Sequence, residues 1–314
     1  MAPGRRGKVM VSPEARKMLA RMFAQRRPED ETIYDVRRDW EATAARQPLP
    51  KGVRVDAATS DGVPGEWVEM PFSDPSRAIL LLHGGGFTAG SPRTHRRLAA
   101  FLGRATKTPV LVPDYRLAPE HPFPAALKDA LIVFRWLTRT AGYRAEDVVV
   151  AGDSAGGGLA LAMMLALRSA NAPQPRAAVL LSPWTDLTIS GTSHITRAKR
   201  DPKVTGAALR QAARYYAGER NLREPLISPH FADFEQLPAM LIHVGDEEVL
   251  LDDSRGLAER ARASGVAVSL RQWSGMWHVF HETGPDLPEA AEALSEIGSY
   301  VQQQFSGGSA VAAT

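Results

Sequence analysis

Val148-Val-Val-Ala-Gly-Asp-Ser-Ala-Gly-Gly-Gly-Leu-Ala-Leu-Ala-Met-Met-Leu-Ala-Leu167 is the stretch whose reading decides the fold. Its first part is short, apolar and β-branched, as a buried strand should be. Its last part, from Gly158, is long, apolar and rich in helix formers. Between them stands Gly152-Asp-Ser-Ala-Gly156, a Gly-x-Ser-x-Gly motif at a strand-to-helix junction. There the serine of such a motif sits on a strained turn, exposed as a nucleophile, with glycines where side chains would clash. The helix begins directly behind Ser154, so its free N–H groups face any negative charge that develops there.

Working outward, strand and helix patterns alternate from about residue 66. Ala78–Leu82 is an apolar strand that ends in His83-Gly-Gly-Gly86. Helices are predicted over about 92–106, opened by the cap Ser91-Pro92, and over 124–140. Further strands are predicted at 109–112, 177–181, 240–244 and 266–273, with helices at 252–264 and 286–304. Continuous apolar strands alternating with helices predict an α/β fold with a mostly parallel sheet covered on both faces. Two segments interrupt the alternation. Residues 11–46 read as helical, and 187–224 contain the amphipathic stretch Thr205–Arg220. The second follows a strand and is placed to cover the C-terminal edge of the sheet, where sites of such folds lie.

Composition narrows the function. The 314 residues are 44% hydrophobic and 23% charged, ordinary for a globular protein. The net charge is +3, and basic residues are dispersed apart from Arg5, Arg6, Lys8 and the pair Arg26-Arg27, which argues against nucleic-acid binding. No cysteine is present, so disulfides, a thiolate nucleophile and a zinc–thiolate site are excluded. The basic N-terminus is not followed by an apolar run, and no run approaches a membrane span, so a cytoplasmic enzyme is expected. The tail 306–314 is small and polar to neutral and is expected to fray.

A serine nucleophile needs a base, an acid that orients the base, and donors for the oxyanion. The glycines after His83 let backbone N–H groups turn inward, so the donors are assigned to Gly85, Gly86 and Ala155. With Gly-x-Ser-x-Gly, acid and then histidine follow the serine along the chain. Of the five histidines after Ser154, His243 lies within a strand pattern, and His194 and His230 lie in or beside the insertion. His278 and His281 precede the last helix, where the base belongs, and His278 is preferred. Candidates for the acid are Asp246, Glu247, Glu248, Asp252 and Asp253. Capping of the helix that starts there accounts for Asp252 and Asp253 without chemistry. His278 and His281 are three apart, but no carboxylate cluster completes a metal site.

Several motifs occur together and in order: His83-Gly-Gly-Gly86, Asp114-Tyr-Arg-Leu-Ala-Pro-Glu-His-Pro-Phe-Pro124, Gly152–Gly156, Ser182-Pro-Trp-x-Asp-Leu187, Gly245-x-x-Glu-Val-Leu-Leu-Asp-Asp253 and Met276-x-His-x-Phe280. With them the chain resembles the hormone-sensitive-lipase-like branch of the α/β-hydrolases, in particular its bacterial carboxylesterases with the GDSAG signature. The resemblance implies an α/β-hydrolase core over 51–186 and 225–305, with a helical cap from 1–50 and 187–224. Where the family has Asp-Pro-Leu-x-Asp, this chain departs. Alignment on Leu250-x-Asp252 puts Glu248 at the position of the acid, 30 residues before His278. The implied triad is Ser154-His278-Glu248, with Asp246 second and Asp252 third for the acid.

The implied chemistry is two-step acyl transfer on small-molecule esters of short acyl chains, with no cofactor and no metal. Phe87 and Trp184 are candidates for the walls of the substrate pocket, or else core aromatics. An amide or N-acetyl substrate is the alternative reading. A ligand-binding receptor that has lost its triad is more remote, because serine, histidine and a carboxylate are all present. Family analogy also suggests a homodimer through the strand near 266–273.

Overall fold

A computed structural model describes residues 11–25 and 31–307. The N-terminal basic stretch, the Arg26-Arg27 pair and the tail from 308 lie outside the described residues. Two helices come first, α1 (Pro13–Ala24) and α2 (Ile33–Arg46). The helical reading of 11–46 corresponds to these two helices, each opened by its own side-chain cap, Ser12 and Thr32. An antiparallel pair, β1 (Arg54–Ser60) and β2 (Val63–Glu69), follows. Alternation then runs through β3 (Ala78–Leu82), α3 (Pro92–Thr106), β4 (Val110–Pro113), α4 (Ala125–Arg139), β5 (Val148–Asp153), α5 (Ala155–Ser169) and β6 (Ala177–Leu181). After β6 come α6 (Ser193–Thr196) and α7 (Gly206–Ala217), and then β7 (Ala239–Gly245), α8 (Leu251–Ala263), β8 (Val268–Trp273) and α9 (Pro288–Phe305).

The eight strands form one sheet in the order β1-β2-β4-β3-β5-β6-β7-β8. β3 to β8 pair in parallel, and β2 joins β4 antiparallel. The β1–β2 hairpin is missing from the sequence reading, which begins the alternation at about residue 66. Its signal is Asp61-Gly62, a two-residue turn with φ of 45° and 90°, as a type I′ hairpin requires. β1 is mostly exposed, so its apolar pattern is weak.

β3, β5 and β6 are buried along their whole length, and helices cover both faces. That explains their uninterrupted apolar sequences. α1 buries Ala15 in a separate apolar cluster with Trp273, Met276, Trp277 and Phe280, and Ser12 ties it to Glu289 of α9. No described helix is long and apolar enough to cross a membrane.

The topology sets the site. The chain moves from β3 outward to β4, then returns to the other side of β3 for β5. Loops at the C-terminal ends of β3 and β5 therefore leave the sheet in opposite directions and open a crevice, the usual place of a site in a parallel sheet. Leu82 pairs with Gly152, so His83–Gly86 and Ser154 emerge side by side.

Candidate active site

Ser154 is held by its backbone rather than by its side chain. Its φ and ψ of 55° and −123° lie in a region that costs a non-glycine residue about 1–3 kcal/mol. Backbone bonds fix it: its N–H donates to Leu181 O (2.9 Å), and its carbonyl accepts from Trp184 N (2.8 Å), Gly157 N (3.0 Å) and Gly158 N (3.3 Å). Among the described residues the Ser154 hydroxyl makes no hydrogen bond, and the residue as a whole is 9% exposed. Catalytic hydrogen bonds in an unliganded enzyme are commonly long or absent.

The motif's glycines serve close approach. A Cβ on Gly156 would meet the carbonyl oxygens of Leu82 and, at 2.6 Å, of His83. Both are backbone atoms, at the end of β3 and just beyond it, and neither can rotate away. Gly156→Ala is expected to cost about 3 kcal/mol of stability through overpacking. Urea unfolding measures it, and a variant as stable as the parent would contradict this packing.

The His83–Gly86 loop turns back on itself. Gly85 (φ 118°), Gly86 (63°) and Phe87 (61°) all have positive φ, and Gly85 O accepts from Thr88 N and Ala89 N at 3.0 and 2.9 Å. Among the described residues the N–H groups of Gly85, Gly86 and Ala155 have no partner. Asp153 fixes the base of this loop by accepting from Gly84 N at 3.0 Å, and its other oxygen lies 3.5 Å from His95 Nε2. Burial pushes the Asp153 carboxyl up, but the facing His95 outweighs it and leaves the pKa below the ordinary value. Burial likewise pushes His95 down, and Asp153 more than restores it. His83 stacks on Tyr115, whose hydroxyl donates to His83 O at 2.6 Å. No local sequence pattern marks Asp153, His95 and Tyr115 for this role, although Asp153 stands inside the motif itself.

On the far side of Ser154, the loops after β6, β7 and β8 meet. His278 Nδ1 lies 3.4 Å from Glu248 Oε1. Glu248 Oε2 accepts from the Ser182 hydroxyl (2.8 Å) and Gly245 N (3.1 Å), and Glu248 has no exposed surface. Ser182 also accepts from Val279 N at 3.1 Å. One hydroxyl thus joins the acid loop to the residue after His278. Since Ser154 N bonds to Leu181, next to Ser182, the three loops are linked through β6. Burial pushes His278 down, but the hydrogen bond and charge of Glu248 outweigh it and raise its pKa above the usual 6.5. For Glu248 burial dominates and raises the carboxyl, with His278 acting against it.

The other candidates are placed elsewhere. Asp246 accepts from Gly275 N at 2.6 Å and fixes that turn. Glu247 is ion-paired with Arg200. Asp252 and Asp253 do not cap α8, whose N-cap is Leu250 with no side-chain bond. Their carboxylates point to other segments, Asp252 to Thr192 and Ser193 N, and Asp253 to the N–H groups of Thr185 and Asp186. His281 is buried against His243, Nε2 to Nδ1 at 3.2 Å, and burial holds its pKa well below 6.5. His194 lies 3.5 Å from Asp253, and His230 N donates to Thr185 O.

Phe87 and Trp184 belong to the packing behind the motif rather than to an open wall. They are 2% and 0% exposed. Phe87 stacks on Tyr216 of α7 at 3.7 Å between ring centres, with the tilted ring of Trp184 at 6.0 Å. Aromatic rings of this size are worth most when fully buried, and here that benefit goes to seating α7. Ala212 of α7 consequently comes over the His83–Gly86 loop, 3.2 Å from where a Gly86 Cβ would stand.

Residues 79–282 match the family model described as α/β hydrolase fold. Over 247 residues the chain is 43% identical to an acetyl-hydrolase of Streptomyces hygroscopicus, covering 79% of this chain and 82% of the relative. Among solved structures, EstE5 soaked with ethyl alcohol superposes with a TM-score of 0.91 at 38% identity, covering 94% of this chain and 99% of that one. An esterase from the bacterial hormone-sensitive lipase family does so with 0.90 at 40% identity, covering 95% and 100%.

Proposed function

We propose that this chain, which belongs to the α/β-hydrolase fold family and to its bacterial hormone-sensitive-lipase-like branch of carboxylic ester hydrolases, cleaves short-chain acyl esters through a Ser154-His278-Glu248 triad. The observation that carries the triad is the buried His278–Glu248 contact, reached from β7 and β8 on the side of Ser154 opposite the glycine loop. His278 takes the Ser154 proton as the hydroxyl attacks the ester carbonyl. The tetrahedral oxyanion is received by the N–H groups of Gly85, Gly86 and Ala155. His278 then protonates the leaving alcohol, and water repeats the sequence to release the acid. Glu248 keeps Nδ1 protonated and Nε2 free to act.

Support for short chains comes from α7. With Phe87 stacked under Tyr216 and Ala212 over Gly86, residues 187–224 act as part of a cap that leaves little depth above the oxyanion loop. Hydrolysis of p-nitrophenyl esters from acetyl to palmitoyl tests this. Rates are expected to be highest on acetyl and butyryl and lost on palmitoyl. Equal turnover of palmitoyl would replace this reading with an open-site lipase. The acetyl-hydrolase relative also favours a second reading, an N-acetyl amide cleaved by the same triad. Activity on acetanilides above that on acetyl esters would select it. The reading takes the protein as a cytoplasmic enzyme, with β8, at one end of the sheet, as the seam of a possible homodimer.

A further inference from the structure

The segment between α6 and α7 is stitched to the loop that carries Glu248. Ser193 Oγ donates to Val249 O (2.6 Å), Arg197 Nε donates to Asp246 O (2.7 Å), and Arg200 pairs with Glu247. At the centre of this seam is Asp201, which has no exposed surface. Its Oδ2 accepts from Val249 N at 3.0 Å, and its Oδ1 accepts from Lys203 N and Val204 N at 2.8 and 2.9 Å. One buried carboxylate is thus shared by two segments far apart in sequence, and one of its donors is the residue directly after Glu248.

The local geometry shows what that bond controls. Leu251 N bonds back to Glu248 O at 3.4 Å, and Leu250 has φ −89° and ψ 15°. These are the marks of a type I turn with Val249 as its second residue. The turn does not use the Val249 N–H, and a buried N–H without a partner is costly. Asp201 is its acceptor. Since the Glu248–His278 contact is already 3.4 Å, a small rotation of this turn would break it.

We propose that Asp201 is a positioning residue of the ester-cleaving site: by holding the Val249 N–H it fixes the turn that aims Glu248 at His278, and so locks the 192–204 segment to the triad. This rests on the Ser154-His278-Glu248 reading. A negative charge at Asp201 also favours the protonated form of His278, in the same sense as Glu248; Lys203 opposes it, and His281 and Asp153 are the other titratable groups that interact with His278. Asp201 therefore acts on the pH profile as well as on geometry.

The test uses the full chain with p-nitrophenyl acetate, comparing Asp201→Asn, Val249→Pro, the double variant and Glu248→Gln. Proline suits the second position of a type I turn and needs no acceptor, so it holds the turn without Asp201. Asp201→Asn is expected to lower kcat by about ten- to a hundredfold with KM within about threefold, as a misaimed catalytic group does. It should also move the acid limb of kcat/KM to lower pH. In the Val249→Pro background the same substitution should cost about a tenth as much. If Asp201→Asn alone does not accumulate as folded protein, the double variant is still expected to fold and to hydrolyse the ester. Four results would overturn the proposal: an unchanged kcat and acid limb; a fall in kcat that tracks melting temperature with an unmoved acid limb; an equal cost in both backgrounds; or a double variant that also fails to fold. Glu248→Gln separates the two levels. If it is as active as the parent, the triad reading itself falls; if it is inactive beside an unimpaired Asp201→Asn, only the role of Asp201 falls.

Discussion

Ser154→Ala is expected to reduce kcat/KM for ester hydrolysis by at least about 10^4-fold while leaving the fold in place. The size follows from the mechanism, since without the nucleophile only the oxyanion donors and binding remain. The tolerance follows from the structure. Among the described residues the Ser154 hydroxyl makes no hydrogen bond, so removing it orphans no partner, and alanine bears the same backbone strain as serine. The change in stability should stay within about 0.5 kcal/mol. Steady-state kinetics beside thermal melting checks both halves. A variant that melts normally and still retains a few per cent of the activity would exclude a Ser154 acyl-enzyme.

Glu248→Gln is expected to be nearly as costly, about 10^3-fold or more in kcat, and to change the pH dependence in a defined direction. With neutral His278 as the base of the proposed triad, activity is expected to fall as pH falls through its pKa. In the parent, Glu248 outweighs burial and sets that pKa above 6.5, which puts the acid limb of the profile above 6.5 as well. Glutamine keeps the shape but removes the charge. Burial then prevails, the pKa drops, and the acid limb moves to lower pH even as the plateau rate collapses. Asp246→Asn is expected to lose less than about tenfold, because Asp246 holds the Gly275 N–H while, among the described residues, the carboxylate hydrogen-bonded to His278 is Glu248. A large loss for Asp246→Asn with a mild one for Glu248→Gln would move the acid to Asp246.

Much of this arrangement is legible in the residues. Parallel strands buried on both faces write themselves as apolar runs, and β3, β5, β6 and β7 are legible in that way. The nucleophile turn was legible because it demands glycine for close packing, and Gly156 packs against the neighbouring strand's carbonyls. What was not legible depends on contacts between distant segments. Ser182 joins Glu248 to Val279, Asp153 holds Gly84, and Asp201 holds Val249 from 48 residues away. A buried polar residue of this kind has no local pattern, since its partner is chosen by the fold. The same holds for Asp252 and Asp253, whose positions at a helix start suggested caps while their carboxylates serve other loops. Phe87 and Trp184 were ambiguous for a related reason, as an aromatic beside a catalytic motif reads the same whether it faces a pocket or a helix.

The central claim, covalent catalysis by Ser154 with His278 as base, is tested most directly by a fluorophosphonate probe read out by intact-protein mass and peptide mapping. One adduct per chain is expected, on the peptide that contains Ser154, with loss of ester hydrolysis in proportion to labelling. Labelling should be absent in Ser154→Ala and much slower in Glu248→Gln. An adduct on another residue, or full inhibition without an adduct on Ser154, would contradict the account.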